Sequence, residues 1–149
     1  VSAKGATSGY WPFGFAAAVQ AVKDSGIEVT DENSSRIGVA IGAGIGGLST
    51  IEENTEKWLD ARSPLKISPF FIPGSIINAA AGQVSIHYGM RGPNLALVTA
   101  CTTSTHSIGI GARCIQYGDA DVMIAGGAEM AFTPLGLGSF GQAKALCRP

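Results

Sequence analysis

One cysteine lies where a sequence can turn a thiol into a nucleophile. Cys101 follows the apolar run 94–99 and precedes a stretch of small and hydroxyl-bearing residues. This pattern predicts a strand that turns into a helix at Cys101, and such a turn is a recurring mount for exposed nucleophiles. The positive end of the helix dipole favours the thiolate over the thiol. The sequence therefore predicts nucleophilic chemistry at Cys101, with a buried and inert cysteine as the alternative.

The other cysteines and the two histidines are weaker candidates. Cys114 and Cys147 fit the common fate of a buried, unreactive side chain. His106 lies five residues after Cys101, about 140° further around a helix, so a structural role is favoured over that of a base. His87 is expected to lie on the surface or to serve packing. The sequence thus holds a candidate nucleophile without a convincing base or oxyanion donor set.

Glycines 42, 44 and 47 form a G-x-G-x-x-G pattern between a predicted strand and a predicted helix. A dinucleotide site needs a further strand and then an acidic residue about 20 residues on. That place is taken by the loop 63–73, which holds three prolines, and no carboxylate occurs between Asp60 and Asp119. Tight turning and close backbone packing are therefore favoured over nucleotide binding.

The elements around these residues predict an α/β fold. Helices are expected at 10–25, 47–61, 74–88 and 101–117, and strands at 36–41, 94–99 and 121–125. Continuous apolar strands predict a sheet covered on both faces. Small residues in the interior of helix 101–117 cost helix stability, so another element should approach it closely, as in a helix between two sheets.

Composition limits the classes of function. The chain has 149 residues, of which 46% are hydrophobic and 14% charged, which predicts one globular domain. A net charge of −1 gives no case for nucleic acid or for a membrane surface, and no apolar run is long enough to span a bilayer. Three cysteines without a Cys-x-x-Cys pair suggest neither a disulfide framework nor a zinc site, so we expect a reducing compartment and no metal. No cofactor is expected either.

Four motifs together resemble the β-ketoacyl-(acyl carrier protein) synthases, with the elongating type II kind and its mitochondrial relatives closest. They are Ser68-Pro-Phe-Phe-Ile-Pro73, Arg91-Gly-Pro-Asn94, Thr99-Ala-Cys101-Thr-Thr and the stretch 118–129. The resemblance covers nearly all of 10–147. It implies part of a thiolase-type α–β–α–β–α layered fold, with the nucleophile helix in the middle. Residues 1–149 would then be a partial N-terminal ketosynthase domain that lacks the first strand region and the whole C-terminal half.

The resemblance implies fatty-acid elongation by a decarboxylating Claisen condensation. Cys101 would take an acyl group as a thioester, and a carbanion formed from malonyl-acyl carrier protein would attack it. The family's two histidines and lysine belong to the C-terminal half and match nothing here, so the 149-residue chain alone is expected to be inactive. The implied partners are acyl- and malonyl-loaded acyl carrier protein and a second copy in a full-length homodimer. The compartment would be the cytoplasm in a bacterium, and the mitochondrion or plastid in a eukaryote.

The resemblance also carries over residue by residue. Five positions match residues that line the family's acyl pocket: Ile45 and Phe71 near the dimer interface, and Ala100, Gly136 and Phe140 near the nucleophile. Lys66 and Lys144 match basic positions that meet the acidic carrier protein. Core packing would use the same apolar residues, and surface lysines are often only solvated.

Two other interpretations remain open. One is a thiolase-like transferase that acts on coenzyme A thioesters. The Thr-Ala-Cys-Thr-Thr context and the Ser-Pro-Phe-Phe loop favour the synthase over it. The other is a non-catalytic partner subunit that sets chain length. The presence of Cys101 argues against it, because such partners usually lack the nucleophile.

Overall fold

The computed structural model describes residues 9–147. Within that range the strands form one parallel sheet of order β2-β1-β3, with β1 at Ile37–Gly42, β2 at Asn94–Leu95 and β3 at Val122–Gly127. The helices are α1 Trp11–Ser25, α2 Leu48–Ala61, α3 Phe71–Ser75, α4 Ala79–Tyr88, α5 Thr103–Gln116 and α6 Pro134–Gln142. Short 3₁₀ turns lie at Ser34–Arg36, Pro64–Lys66 and Ala100–Thr102. The predicted α/β fold is confirmed.

Alternating residues of β1 serve the two faces of the sheet. Ile37, Val39 and Ile41 are buried in a core that they share with α1 and α4. Helix α5 packs on the opposite face against β1 and β3. There a Cβ added to Gly111 would lie 3.3 Å from the Cβ of Ala125. The small residues of α5 therefore allow the close approach that the sequence predicts.

The predicted cover is incomplete on one strand and one helix. Strand β3 is only half-buried, since within the described residues it pairs with β1 alone and forms a sheet edge. Helix α5 leaves three isoleucines exposed, at positions 108, 110 and 115, with Ile108 at 56%. Helices thus lie on both faces of the sheet, as predicted, but they leave β3 half-buried, and the described chain supplies one of the two sheets expected around α5.

The predicted helix 74–88 is two helices, α3 and α4. The hydroxyl of Tyr10 donates to the carbonyls of Ile76 and Ile77, in the segment that separates them. Ile76 itself is extended, with φ −69° and ψ 141°. The side chain of Tyr10, distant in sequence, therefore binds the backbone at the break. The local pattern of apolar residues could not predict this contact.

Two further boundaries differ from prediction. The predicted strand 94–99 pairs only at Asn94–Leu95, because the chain then leaves β1 to form the turn before α5. Helix α6 was not predicted, since three glycines lower its helix propensity. Its start signal is nevertheless present. Pro134 occupies the first turn, and Thr133 Oγ1 accepts the N–H of Gly136 at 3.0 Å.

None of the helices within 9–147 combines the length and the apolar character that a bilayer crossing requires.

Candidate functional site

The site begins with a strained backbone turn at the candidate nucleophile. Cys101 lies in the 3₁₀ turn Ala100–Thr102, which leads directly into α5, and its side chain is exposed. The residue before it, Ala100, has a φ of +52°. A left-handed conformation costs a residue with a Cβ about 1–2 kcal/mol. The predicted turn into a helix at Cys101 is therefore present as a sharp elbow, although the paired strand before it ends earlier, at Leu95.

Hydroxyl groups support the elbow. Thr103 Oγ1 accepts the N–H of Thr99 at 2.9 Å and donates to the carbonyl of Ala100 at 2.8 Å. Thr102 Oγ1 donates to the carbonyl of Thr99 at 2.6 Å. The side chain of Thr99 meets His106 Nδ1 at 2.8 Å, which agrees with a structural role for His106. The hydroxyls thus stabilise the elbow, whereas Thr102 at the N-cap of α5 makes no side-chain cap.

A pocket of about 450 Å³ opens beside Cys101. Its lining comes from the ends of β1 and β3, from the elbow and from α6, and it is mostly apolar. Three of the five predicted pocket residues line it, namely Ile45, Ala100 and Phe140. Phe71, at the start of α3, and Gly136, in α6, lie outside its lining. The fold therefore brings distant apolar residues to the thiol.

Two glycines of the G-x-G-x-x-G pattern, Gly42 at the end of β1 and Gly44 after it, line this pocket. A Cβ on Gly42 would lie 2.0 Å from the carbonyl oxygen of Leu97, and one on Gly47 would lie 2.2 Å from that of Gly74. These positions admit no side chain because neighbouring backbone fills the space. The prediction that the glycines serve close backbone packing is confirmed.

Glu129 is a site residue that sequence reasoning missed. Its Oε2 accepts the N–H of Ile45 at 2.7 Å, and its Oε1 accepts the N–H of Gly46 at 3.2 Å. A carboxylate of the chain itself thus occupies the amides that a phosphate would use in a nucleotide site. Glu129 is also the one charged residue in the described lining of the pocket. The sequence did contain one signal for Glu129, which is an acidic residue two positions after the end of an apolar strand.

The pKa of a buried phenol is affected by the same carboxylate. Burial raises the pKa of Tyr10 to about 12, and the charge of Glu129 adds to the increase. The backbone amides of Ala80 and Ala79 act in the opposite direction. Tyr10 is therefore a neutral donor that binds the α3–α4 break across the ordinary pH range.

The remaining candidates lie apart from the pocket lining. Lys66 and Lys144 are both exposed, the first in a 3₁₀ turn and the second just after α6 with a φ of +58°. Cys114 is buried as predicted, but Cys147 is exposed, because the chain after α6 runs over the surface. Among residues 9–147 no three His, Cys, Asp or Glu side chains converge into a metal-binding group.

An exposed thiol lies on a strained elbow and opens on an apolar pocket in an α/β fold, an arrangement that suits a nucleophilic cysteine. Residues 12–149 match the family model described as beta-ketoacyl synthase, N-terminal domain. The chain belongs to the β-ketoacyl synthase family, as the four sequence motifs predict.

Curated relatives agree with this assignment. The chain is 58% identical over 134 residues to the 3-oxoacyl-[acyl-carrier-protein] synthase 2 of Vibrio cholerae, covering 90% of this chain and 32% of that protein. It is 44% identical over 146 residues to the enzyme of the same name from Staphylococcus aureus, covering 92% and 35%. The chain thus spans about a third of the length of the curated relatives it matches.

Solved structures share the fold. A type II polyketide ketosynthase, bound to a hexaketide and in complex with its acyl-carrier protein, superposes with a TM-score of 0.86 at 30% identity, covering 92% of this chain and 35% of that one. The ishigamide ketosynthase/chain length factor superposes with a TM-score of 0.80 at 24% identity, covering 92% and 34%. The second likeness shows the fold alone.

Proposed function

We propose that the protein carrying this chain is a β-ketoacyl-(acyl carrier protein) synthase that elongates fatty acids, with Cys101 as its nucleophile. The observation that carries the proposal is the exposed Cys101 thiol on its strained elbow, beside an apolar pocket of about 450 Å³. A pocket of this size and apolar lining suits a lipid-like ligand. Residues 1–149 are proposed to form part of an N-terminal ketosynthase domain.

The proposed reaction has two stages. The Cys101 sulfur attacks the thioester carbonyl of acyl-carrier protein, and the carrier's thiol leaves with the proton. Malonyl-carrier protein then loses its carboxylate as CO₂, and the carbanion attacks the acyl carbon on Cys101. The Cys101 thiolate leaves, and a 3-ketoacyl chain two carbons longer remains on the carrier. The N–H of Cys101 is proposed as one oxyanion donor, with the groups for decarboxylation supplied by residues outside this chain.

The pocket residues are proposed to hold the acyl chain. Ile45, Ala100 and Phe140 line the cavity beside Cys101, which supports their assignment. Phe71 and Gly136 remain proposals that rest on the resemblance, because they lie outside this lining.

Acyl carrier protein is the proposed partner, because a structural neighbour is a ketosynthase in complex with its own carrier. Lys66 and Lys144 are proposed to meet it, and their exposure supports this, since positive side chains steer an acidic partner. A homodimer of the full-length protein is proposed as the working assembly. The curated relatives are bacterial, which supports the cytoplasm as the proposed compartment.

Mass spectrometry of the protein incubated with an acyl-carrier thioester tests the proposal. The wild type and Cys114→Ser should both gain one acyl group on Cys101, and Cys101→Ser should gain none. Addition of malonyl-carrier protein should then release the 3-ketoacyl product. Acylation of Cys114 or Cys147 in place of Cys101 would defeat the assignment. The 149-residue chain alone is proposed to be inactive in condensation, and turnover by it would contradict that point.

A further inference from the structure

We propose that Glu129 determines which acyl groups Cys101 accepts, because its carboxylate holds the pocket wall that carries Ile45. Glu129 is a positioning residue in this proposal, since it acts through the glycine loop 43–47. The proposal rests on the proposed function for its substrate class. The hydrogen bonds from Glu129 to the loop, called the clamp below, can be tested separately from the substrate class.

The carboxylate makes the contacts that a clamp needs. Oε2 accepts the N–H of Ile45 at 2.7 Å, and Oε1 accepts that of Gly46 at 3.2 Å, so both oxygens bind consecutive amides of the loop. Oε1 also accepts the N–H of Met130 at 3.3 Å, which ties the carboxylate to its own strand end. Hydrogen bonds to a charged acceptor are about twice as strong as neutral ones. The end of β3 is thereby joined to the loop that follows β1.

The loop has few other means of holding its shape. It contains three glycines, and Gly46 has a φ of +86°, a conformation that is freely adopted and easily left. Its other backbone bonds lie at its far end. Gly47 donates to the carbonyl of Ser75 at 3.2 Å, and the carbonyls of Gly46 and Gly47 accept the N–H groups of Leu48 at 2.9 Å and Ile51 at 3.1 Å. The position of Ile45 therefore depends on Glu129.

Gly44 shows why a shift of the loop reaches the pocket. A Cβ on Gly44 would lie 3.1 Å from Glu129 Oε2 and 3.2 Å from the Cα of Ala100. The loop is thus held between the carboxylate and the elbow. The elbow has its own hydrogen bonds from Thr103, so loss of the clamp should move Ile45 while Cys101 stays in place. This separation predicts a change in substrate selection without a change in thiol reactivity.

The test uses Glu129→Gln, which keeps the size of the side chain but loses its charge and one acceptor oxygen. Glu129→Asp keeps the charge on a shorter stem, and Glu53→Gln removes an exposed acid of α2 that is outside the pocket lining. For each variant of the protein carrying this chain, we would measure acylation of Cys101 by a series of carrier thioesters of increasing length. Alkylation of Cys101 by iodoacetamide reports thiol reactivity, and amide hydrogen exchange reports the loop.

Glu129→Gln should narrow the preference between long and short acyl groups by about tenfold, the scale on which pocket contacts discriminate methylene groups. Its alkylation rate should stay within about twofold of the wild type, and exchange at 44–47 should rise at least about tenfold. Glu129→Asp should recover part of the preference, and Glu53→Gln should match the wild type. An unchanged chain-length preference, or an equal loss of every rate, would overturn the proposal.

Failure of the proposed function can be distinguished from failure of the clamp. If the wild type accepts no carrier thioester, the proposed function fails. Hydrogen exchange then still decides the clamp, and unchanged protection at 44–47 in Glu129→Gln would refute it.

Discussion

The hydroxyl of Thr103 donates a hydrogen bond of 2.8 Å to the carbonyl of Ala100, the residue whose φ of +52° turns the chain into Cys101. The same oxygen accepts the N–H of Thr99 at 2.9 Å, so one buried side chain spans the strained residue on both sides. These bonds offset the cost of the left-handed conformation. The geometry of the nucleophile therefore depends on the hydrogen bonds of the Thr103 hydroxyl.

Replacement of that hydroxyl should weaken the elbow. Thr103→Val keeps the shape of the side chain but leaves a donor and an acceptor unpaired, which should lower the free energy of unfolding by about 1–3 kcal/mol. Acylation of Cys101 should fall at least about tenfold, because a misplaced nucleophile loses its attack geometry. Thr103→Ser keeps the hydroxyl and is the matched control. Urea denaturation and acylation rates measure both effects, and equal behaviour of the two variants would contradict the role of the hydroxyl.

Gly42 is expected to tolerate no side chain. The Cβ of Gly42→Ala would lie 2.0 Å from the carbonyl oxygen of Leu97 and 2.7 Å from Thr103 Cγ2. Relief of this clash requires the backbone to move, so we expect a loss of about 3 kcal/mol or more in unfolding free energy. Gly126→Ala in the neighbouring strand has no atom within 4 Å of its added Cβ. It should change stability by less than about 0.5 kcal/mol in chemical denaturation. Similar losses in both variants would refute the steric argument.

Tyr10 should make stability fall in alkali. Its pKa is raised to about 12 in the folded protein by burial, above the value of 10.0 for an exposed phenol. The contribution of Tyr10 to the free energy of unfolding is therefore fully present below pH 10 and is lost as the pH rises through 12. The loss is about 1–2 kcal/mol after allowance for solvent screening. Tyr10→Phe should remove this component, although it costs about 1 kcal/mol at neutral pH by freeing the carbonyls of Ile76 and Ile77. Denaturation curves across this range would contradict the prediction if both proteins weakened equally.

The stabilisation from the ion pair between Arg36 and Asp121 should be lost in acid. Two hydrogen bonds, of 2.6 and 3.2 Å, join the side chains, and Arg36 lowers the pKa of Asp121 mainly through them. Its contribution is thus present above the unfolded pKa of the carboxyl and is lost as the pH falls through the folded one.

Asp121→Asn should lower the melting temperature slightly at neutral pH and leave it unchanged in strong acid, and added salt should shrink the difference. Asp31→Asn is the control, because Asp31 Oδ1 lies 3.8 Å from Arg91 Nη2, which is too far for a hydrogen bond. It should have the smaller effect in thermal melts. If Asp121→Asn lowered the melting temperature equally at neutral pH and in strong acid, the charge of Asp121 would not be the cause of the loss.

Local patterns predicted much of the fold correctly. The apolar residues and Gly26 delimit α1, and β1 lies where its apolar run predicts. These elements carry their own start and stop signals, so neighbouring residues suffice. The α3–α4 break could not be found in this way, because the donor that binds it belongs to Tyr10, far away in sequence. Glu129 was missed for the same reason, since its partners follow a different strand.

By itself the sequence determined the candidate nucleophile, the strand-to-helix turn that carries it and the family to which the chain belongs. Those conclusions depend on short motifs, each of which is a continuous stretch of the chain. Only the tertiary structure decided that Ile45 and Phe140 share a pocket with that thiol while Phe71 does not, and that a carboxylate binds the glycine loop. The physical reason is the parallel sheet. It brings the ends of β1 and β3 to one edge, so residues remote in sequence meet where both strands stop.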